Sequence, residues 1–148
     1  MAANTAPIFG RIADVQIGGA VFGPTAVTAQ DGTGALLSIF QSDTTEGSFV
    51  EEIRLKPVGS PVATVCRIFV CSVTGTFTSG TSNTVVTTAM VSEMSLSSVT
   101  TSNNSAQNDI AIPFRKALPP GWRLLIGFGT STGAAGTGWV STVFGSKY

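Results

Sequence analysis

The sequence has no histidine, and charged residues make up only 11 % of its 148 residues. Globular proteins average about 25 % charged residues. Nucleophilic catalysis by serine or threonine normally depends on a neighbouring base, most often histidine, which this chain lacks. The adjacent Glu51 and Glu52 are expected to point to opposite faces of an extended strand, so they do not suggest the carboxylate pair of a glycosidase. We therefore predict that the protein is not an enzyme.

Basic clusters and long apolar runs are also missing. The formal net charge is zero, and the basic residues are scattered instead of forming the stripe that neutralises phosphates. No apolar run approaches the ~20 residues that cross a bilayer, and residues 1–7 lack the basic and apolar regions of a signal peptide. We expect no nucleic-acid partner, no membrane association, and synthesis in a cytosol.

The cysteines are few, and they lie close together as Cys66 and Cys71. On an extended strand their Cα atoms would be about 17 Å apart, beyond the ~7 Å that a disulfide allows. We expect both to be buried free thiols that pack as small apolar residues. Because no C-x-x-C pair and no histidine accompanies them, we predict no metal site and no cofactor.

Alternation of apolar and other residues with period two is the main pattern in the chain. At residues 64–71 both faces of the alternation are apolar, which predicts a central strand covered on both sides. Pro57 is expected to end its strand or to lie at a sheet edge. Further strands are predicted at residues 8–15, 34–40, 53–56, 84–91, 109–114, 122–128 and 139–144, with a short one at 25–29. These strands predict an all-β fold, either a jelly roll or a related antiparallel β-sandwich of about eight strands.

The length of the chain fits one domain. We assign residues 8–148 to a single β-sandwich domain and residues 1–7 to a flexible N-terminal arm. Residues 73–83 and 100–108 are polar and are expected to form loops. Residues 89–96 are the single helical candidate in the sequence.

The scarcity of charge bears on how the surface is used. Free soluble domains usually carry a charged surface, so we predict a subunit of an oligomer or of a larger assembly. An N-terminal arm could pair with the sheet edge of a neighbour by strand addition. The interface candidates are Pro7, Ile8, Phe9, Arg11 and Tyr148. Three other aromatic residues belong either to the core or to an interface: Trp122, Trp139 and Phe144.

Segments along almost the whole chain resemble the small capsid decoration, or cement, proteins of tailed bacteriophages. They are Asn4-Thr5-Ala6-Pro7-Ile8-Phe9, Asp31-Gly32-Thr33-Gly34, Ile53-Arg54-Leu55-Lys56-Pro57, Ala63-Thr64-Val65-Cys66-Arg67-Ile68-Phe69-Val70, Ala117-Leu118-Pro119-Pro120-Gly121-Trp122 and residues 138–145. The resemblance implies a β-sandwich or jelly-roll subunit that forms a homotrimer and clamps neighbouring copies of the major capsid protein on the outside of the head. It implies no catalytic residue.

The expected function is therefore that of a structural virion protein that stabilises the capsid. It would be synthesised in the cytoplasm of the host bacterium and would end on the capsid surface. Two alternatives stay open. A glycan-binding module would stack Trp122 or Trp139 on a sugar, and buried tryptophans would count against it. A tail, neck or head-fibre subunit would be present in fewer copies per particle.

Overall fold

Eight β-strands and their connecting loops form the fold. The computed structural model describes residues 10–18, 22–107 and 109–148. The strands are β1 (Ile12–Ile17), β2 (Leu37–Gln41), β3 (Ser48–Val58), β4 (Thr64–Cys71), β5 (Thr88–Leu96), β6 (Ile110–Leu118), β7 (Arg123–Phe128) and β8 (Gly138–Lys147). All their pairings are antiparallel, so the predicted all-β fold is confirmed.

The strands form two four-stranded sheets that pack as a β-sandwich. Sheet A has the order β1-β8-β3-β6, and sheet B has the order β2-β7-β4-β5. Most consecutive strands lie in different sheets, whereas β1 pairs with β8 and β2 pairs with β7. This is the strand order of a jelly roll, in which one long antiparallel hairpin is rolled into two layers.

The main core lies between the two sheets and is built from the inward side of each alternation. β4 contributes Cys66 and Ile68, and β7 contributes Leu124 and Ile126. Ile53 of β3 packs into the same cluster from sheet A. Burying one large aliphatic side chain fully is worth about 1.5–3 kcal/mol, so these positions determine which face of each strand points inward.

The outer face of sheet B is covered by loops of the same chain. A second apolar cluster joins this face to residues 22–36 and 72–87, and its buried members are Val27, Leu36, Phe69, Cys71 and Leu125. Gly127 permits the close approach, because a Cβ atom there would lie 2.6 Å from Leu36 Cδ2. β4 is therefore covered on both sides, as predicted. Cys66 and Cys71 are both free and buried, which confirms the expectation for the thiols.

Arg67 ties one of these loops to sheet B. It is 8 % exposed, and its Nη1 donates hydrogen bonds to the carbonyl oxygens of Val27 and Thr28 at 3.0 and 3.2 Å. Its Nε donates to Glu93 Oε1 at 2.9 Å. One charged side chain thus links the loop at residues 22–36 to β4 and β5 by charge-assisted hydrogen bonds, which are stronger than neutral ones.

A side-chain amide joins the two sheets along the β1–β2 side of the sandwich. Gln16 Nε2 donates to the carbonyl oxygen of Gln41 at 2.7 Å, and Gln16 Oε1 accepts from the Gln41 N–H at 2.9 Å. The amide therefore pairs with the edge of β2 as a peptide group of a neighbouring strand would. It satisfies backbone groups that would otherwise be left without partners at this edge.

A β-bulge interrupts the alternation of β3 at Glu51. Val50 and Ile53 are both buried, although two residues separate them, because the register shifts between Val50 and Glu52. Glu51 and Glu52 both lie outside the core, so the expectation that they point to opposite faces is wrong. Arg115 of β6 lies opposite the bulge with a φ of 50°, and its Nε is 3.5 Å from Glu51 Oε1.

Three further local predictions are corrected. The helical candidate at residues 89–96 is wrong, because these residues form β5 and pair with β4. The strand predicted at residues 84–91 begins only at Thr88, because residues 84–87 form a turn. Residues 25–29 are not a strand, although the Val27 N–H donates to the carbonyl oxygen of Phe128 at 2.6 Å.

Other expectations are met or fall outside the described ranges. Pro57 pairs with Trp139 of β8 at a position beyond the last pair between β3 and β6, so β3 is locally an edge there, as predicted. Residues 73–83 lie between strands, as do residues 100–107. Residues 1–9, including the predicted arm at residues 1–7, lie outside the described residues.

Candidate interaction surface

Among the described residues, none covers the outer face of sheet A, whereas loops cover that of sheet B. Val15 pairs with Phe144, and Ile17 pairs with Thr142, in the neighbouring strands β1 and β8. Ile17 is 75 % exposed, Val15 50 % and Phe144 36 %. Side chains of directly paired residues lie about 5 Å apart on the same face. We call Val15, Ile17 and Phe144 the apolar strip.

β1 has an inverted pattern that explains this strip. Asp14 is buried and Gln16 is half-buried, whereas the apolar Val15 and Ile17 face solvent. In most half-buried strands the apolar residues face the core and the polar ones face water. The inward polar residues of β1 form hydrogen bonds, since Gln16 joins β2 and Ser48 Oγ donates to Asp14 Oδ2 at 3.2 Å. Burial within the described structure does not explain the outward apolar residues.

The other half of this face carries balanced charge. Its ion pairs are Glu52–Arg54, Lys56–Asp109 and Glu51–Arg115, with N···O distances of 2.8, 3.5 and 3.5 Å. The Arg54 guanidinium also lies 5.5 Å from the centre of the Phe144 ring. Exposed pairs contribute only about 0–1 kcal/mol each to stability. Their main effect is to leave the face near neutral beside the apolar strip.

A second group of exposed apolar residues lies on the sheet B side of the molecule. It consists of Val85 and Val86, in the loop before β5, and Met90 and Val91, within β5. Sequence reasoning missed this group because the run of β-branched residues favoured a strand over residues 84–91. We call residues 84–91 the valine ridge.

The sequence-predicted interface residues are only partly placed by the structure. Arg11 and Tyr148 are brought together, because Arg11 Nη2 donates to the Tyr148 carbonyl oxygen at 2.9 Å and also pairs with Glu46. They lie at one end of the β1–β8 pair, and this pair also carries the apolar strip. Pro7, Ile8 and Phe9 lie outside the described residues.

The aromatic residues separate into core and surface. Trp139 is 1 % exposed and belongs to the main core. Trp122 is half-buried and packs against the same core. Phe144 is the one of the three that lies on the open face. A buried indole cannot stack on a sugar, so the burial of Trp139 counts against the glycan-binding alternative at that residue.

One cleft of about 290 Å³ brings carboxylates and an amine together. Asp14 and Asp43 line it, and Lys147 Nζ lies 3.3 Å from Asp43 Oδ2. The N–H groups of Glu46 and Thr45, and then Lys147, lower the pKa of Asp43. The lysine ammonium already provides the positive charge here. Within the described ranges, no three or more His, Cys, Asp or Glu residues are grouped so as to hold a metal ion.

Comparisons with protein-family models, curated proteins and solved structures find no match for this chain. Within the described residues, no helix has the length and apolar character needed to cross a membrane. The open face of sheet A and the valine ridge each group several exposed apolar side chains.

Proposed function

We propose that this chain is a structural virion protein that forms a homotrimer on the outer surface of a phage capsid and stabilises it. The observation that carries the proposal is the apolar strip, formed by Val15, Ile17 and Phe144 on the open face of sheet A. Contiguous exposed apolar surface marks sites of contact with other proteins. The resemblance to phage decoration proteins is the reason for proposing a phage capsid as the assembly to which the protein binds.

The strip suits contact between subunits. Sheet A has four strands about 4.8 Å apart, and β3 and β8 extend for about 30 Å, so its face offers several hundred Å² of surface. Stable protein interfaces bury about 800 Å² on each partner. Sheet A can therefore supply much of one subunit contact. The balanced ion pairs beside the strip favour a neutral partner such as a second copy of this chain.

Self-association would explain how a small, charge-poor protein stabilises a capsid. A trimer that touches several capsid subunits turns each additional contact into an intramolecular one, which raises the overall affinity without new contact types. Uncharged contacts also avoid the cost of removing ions from water. No covalent or catalytic step is needed for this role.

Two measurements test the proposal. The solution mass of the purified protein is expected to be that of a trimer. Phage heads lacking the protein are expected to release their DNA at a lower temperature than heads to which it has been added back. A monomer that leaves head stability unchanged would contradict the proposal. The copy number per particle separates decoration, with hundreds of copies, from a tail, neck or head-fibre role with a few dozen or fewer.

A further inference from the structure

The loops over the outer face of sheet B leave one end of that face open as a cleft of about 510 Å³. Arg67 of β4 pairs directly with Glu93 of β5, and Val65 and Ser95 form the next pair on the same face. Gly129 follows β7 beside them, and its N–H donates to the Val65 carbonyl oxygen at 2.8 Å. We call this space the Arg67 cleft.

Gly129 keeps the cleft open, although the fold does not require a glycine there. The three atoms nearest to a Cβ atom at Gly129 would all belong to the Arg67 guanidinium, at 3.5–3.6 Å. These are ordinary van der Waals distances, and Gly129 is not among the glycines with a left-handed φ. A side chain at this position would therefore fit, and it would cover the guanidinium. Its absence leaves the guanidinium facing the cleft.

The guanidinium has donors that its contacts within the protein do not use. An arginine has five N–H donors. Nε and Nη1 use three of them, on Glu93 and on the carbonyl oxygens of Val27 and Thr28. Within the described ranges, Nη2 has no such acceptor, although the residue is only 8 % exposed. Leaving a buried donor unpaired is costly, so the acceptor for Nη2 has to come from the cleft.

Hydroxyl groups and apolar surface form the rest of the lining. Thr130 Oγ1 donates to Thr64 Oγ1 at 3.1 Å on the β7 side, and Ser95 and Ser97 are exposed on the β5 side. Val65 adds an apolar side chain between them. Sites for small molecules have volumes of about 300–1,000 Å³ and combine apolar surface with a few fixed polar groups. The cleft has this size and this composition.

The charge of the cleft is already balanced. Among the described residues that line it, Arg67 is the charged one, and Glu93 pairs with it at 2.9 Å. An anionic ligand would bring a second negative charge next to Glu93, which like-charge repulsion disfavours. The Glu93 side chain is 40 % exposed, and Arg67 occupies Oε1. Oε2 can therefore accept a hydrogen bond beside the Nη2 donors.

We propose that the Arg67 cleft binds a neutral saccharide. Arg67 Nη2 donates to one hydroxyl of the sugar, Glu93 Oε2 accepts from the neighbouring hydroxyl, and Val65 packs against the C–H groups of the ring. Adjacent hydroxyls suit this pair because each can both donate and accept. The inference is independent of the proposed function, since the cleft lies on sheet B and the apolar strip lies on sheet A. It also differs from stacking of a sugar on Trp122 or Trp139.

The test uses glucose, galactose, mannose and N-acetylglucosamine as neutral probes, with glucuronate and inorganic phosphate as charged ones. Binding is measured from shifts of the Val65, Ser95 and Gly129 amide resonances in NMR titrations. A Gly129→Leu variant fills the cleft from one side, and a Ser95→Ile variant fills it from the other. Gly75→Leu is the matched control, because a Cβ atom at Gly75 would have no atom within 4 Å. Circular dichroism checks the fold of each variant.

We expect at least one neutral sugar to bind wild type with a millimolar Kd, the range typical of a ligand with about a dozen non-hydrogen atoms. Both filling variants should bind it at least about 10-fold more weakly, and the control should bind it normally. If Gly129→Leu does not fold, Ser95→Ile decides. The proposal is overturned if no neutral sugar shifts these resonances at concentrations up to about 50 mM, or if the folded filling variants bind as wild type does. Tighter binding of glucuronate or phosphate than of every neutral sugar would replace it with an anion site.

Discussion

Replacement of Arg67 with methionine should loosen the loop that covers sheet B. Methionine retains the apolar stem of the arginine and removes its hydrogen-bond donors. The carbonyl oxygens of Val27 and Thr28 then lose the Nη1 donor that holds them at 3.0 and 3.2 Å. Glu93 loses its partner as well, but its side chain is 40 % exposed and water can replace the lost contact.

The expected loss of unfolding free energy depends on which of these hydrogen-bonding groups is buried. A hydrogen bond to a charged group contributes about 1.5–3 kcal/mol, and a buried polar group left without a partner costs about 1–3 kcal/mol. Thr28 is exposed, so water reaches its carbonyl more readily than that of the buried Val27. We expect the Arg67→Met variant to lose about 3 kcal/mol of unfolding free energy. With a slope of about 2 kcal/mol per M, the urea midpoint falls by about 1.5 M.

Arg54→Met is the matched control, because Arg54 is a 45 % exposed arginine that is paired with Glu52 on the open face of sheet A. Its loss should cost no more than about 1 kcal/mol. Urea titration followed by tryptophan fluorescence measures both variants. Hydrogen exchange of the Val27 amide, which donates to Phe128 at 2.6 Å, should accelerate in Arg67→Met alone. Equal urea midpoints for the two variants would refute the role of Arg67 in holding the loop at residues 22–36 to sheet B.

Three other predictions concern the sheets and the core. A Val15→Thr/Ile17→Thr double variant should shift the protein toward monomers in light scattering, with a wild-type circular dichroism spectrum and a lower urea midpoint, because the stabilisation by association is lost; an unchanged mass would remove the strip from the subunit contact. Gln16→Ala should lower the unfolding free energy by about 1–2 kcal/mol, because the Gln41 backbone loses both partners at the sheet edge; an unchanged urea midpoint would contradict this. Burial raises the pKa of Cys66 from 9.0 to about 12. The unfolded chain therefore releases this proton first, so stability should fall as pH rises above about 9. A Cys66→Ala variant should lose that part of the dependence, and an identical alkaline decline in both proteins would refute it.

The strands that pack on both faces could be predicted from the sequence. In β4 and β7 every second side chain meets the main core, and much of the remainder meets the second cluster. Both faces of these strands are covered, so apolar residues at consecutive positions indicate a central strand. The prediction of a sandwich with about eight strands followed from such segments and from the turns between them.

Features that depend on pairing across the sheets could not be predicted from local sequence. Relative to β8, the bulge at Glu51 adds one residue to β3, and it moves the next apolar residue out of period. β5 lies at an edge and is bulged, so its spacing resembled that of a helix. Val85 and Val86 have high strand propensity, yet hydrogen bonds to Thr84 and Ser72 hold them in a turn.

The alternation in β1 is visible in the sequence, but the period-two pattern alone did not identify the apolar strip. In β1, Asp14 and Gln16 alternate with Val15 and Ile17, a pattern that fits either orientation of the strand. Local propensity does not decide which side faces the partner sheet. That orientation depends on two hydrogen bonds that join β1 to distant parts of the chain. Gln16 donates to the Gln41 carbonyl oxygen, and Ser48 Oγ donates to Asp14.

The pairing of β1 with β8 has a consequence for synthesis. Ile12 pairs with Lys147 and Ile17 with Thr142, so this ladder closes only when nearly all of the described chain has left the ribosome. At about 5–20 residues per second, β1 waits on the order of ten seconds for its partner strand. Pairing at such long sequence separation is also intrinsically slow. Until β8 has been synthesised, the nascent chain carries Val15 and Ile17 on an unpaired strand. The protein is therefore most prone to aggregation, and most in need of a chaperone, during this period.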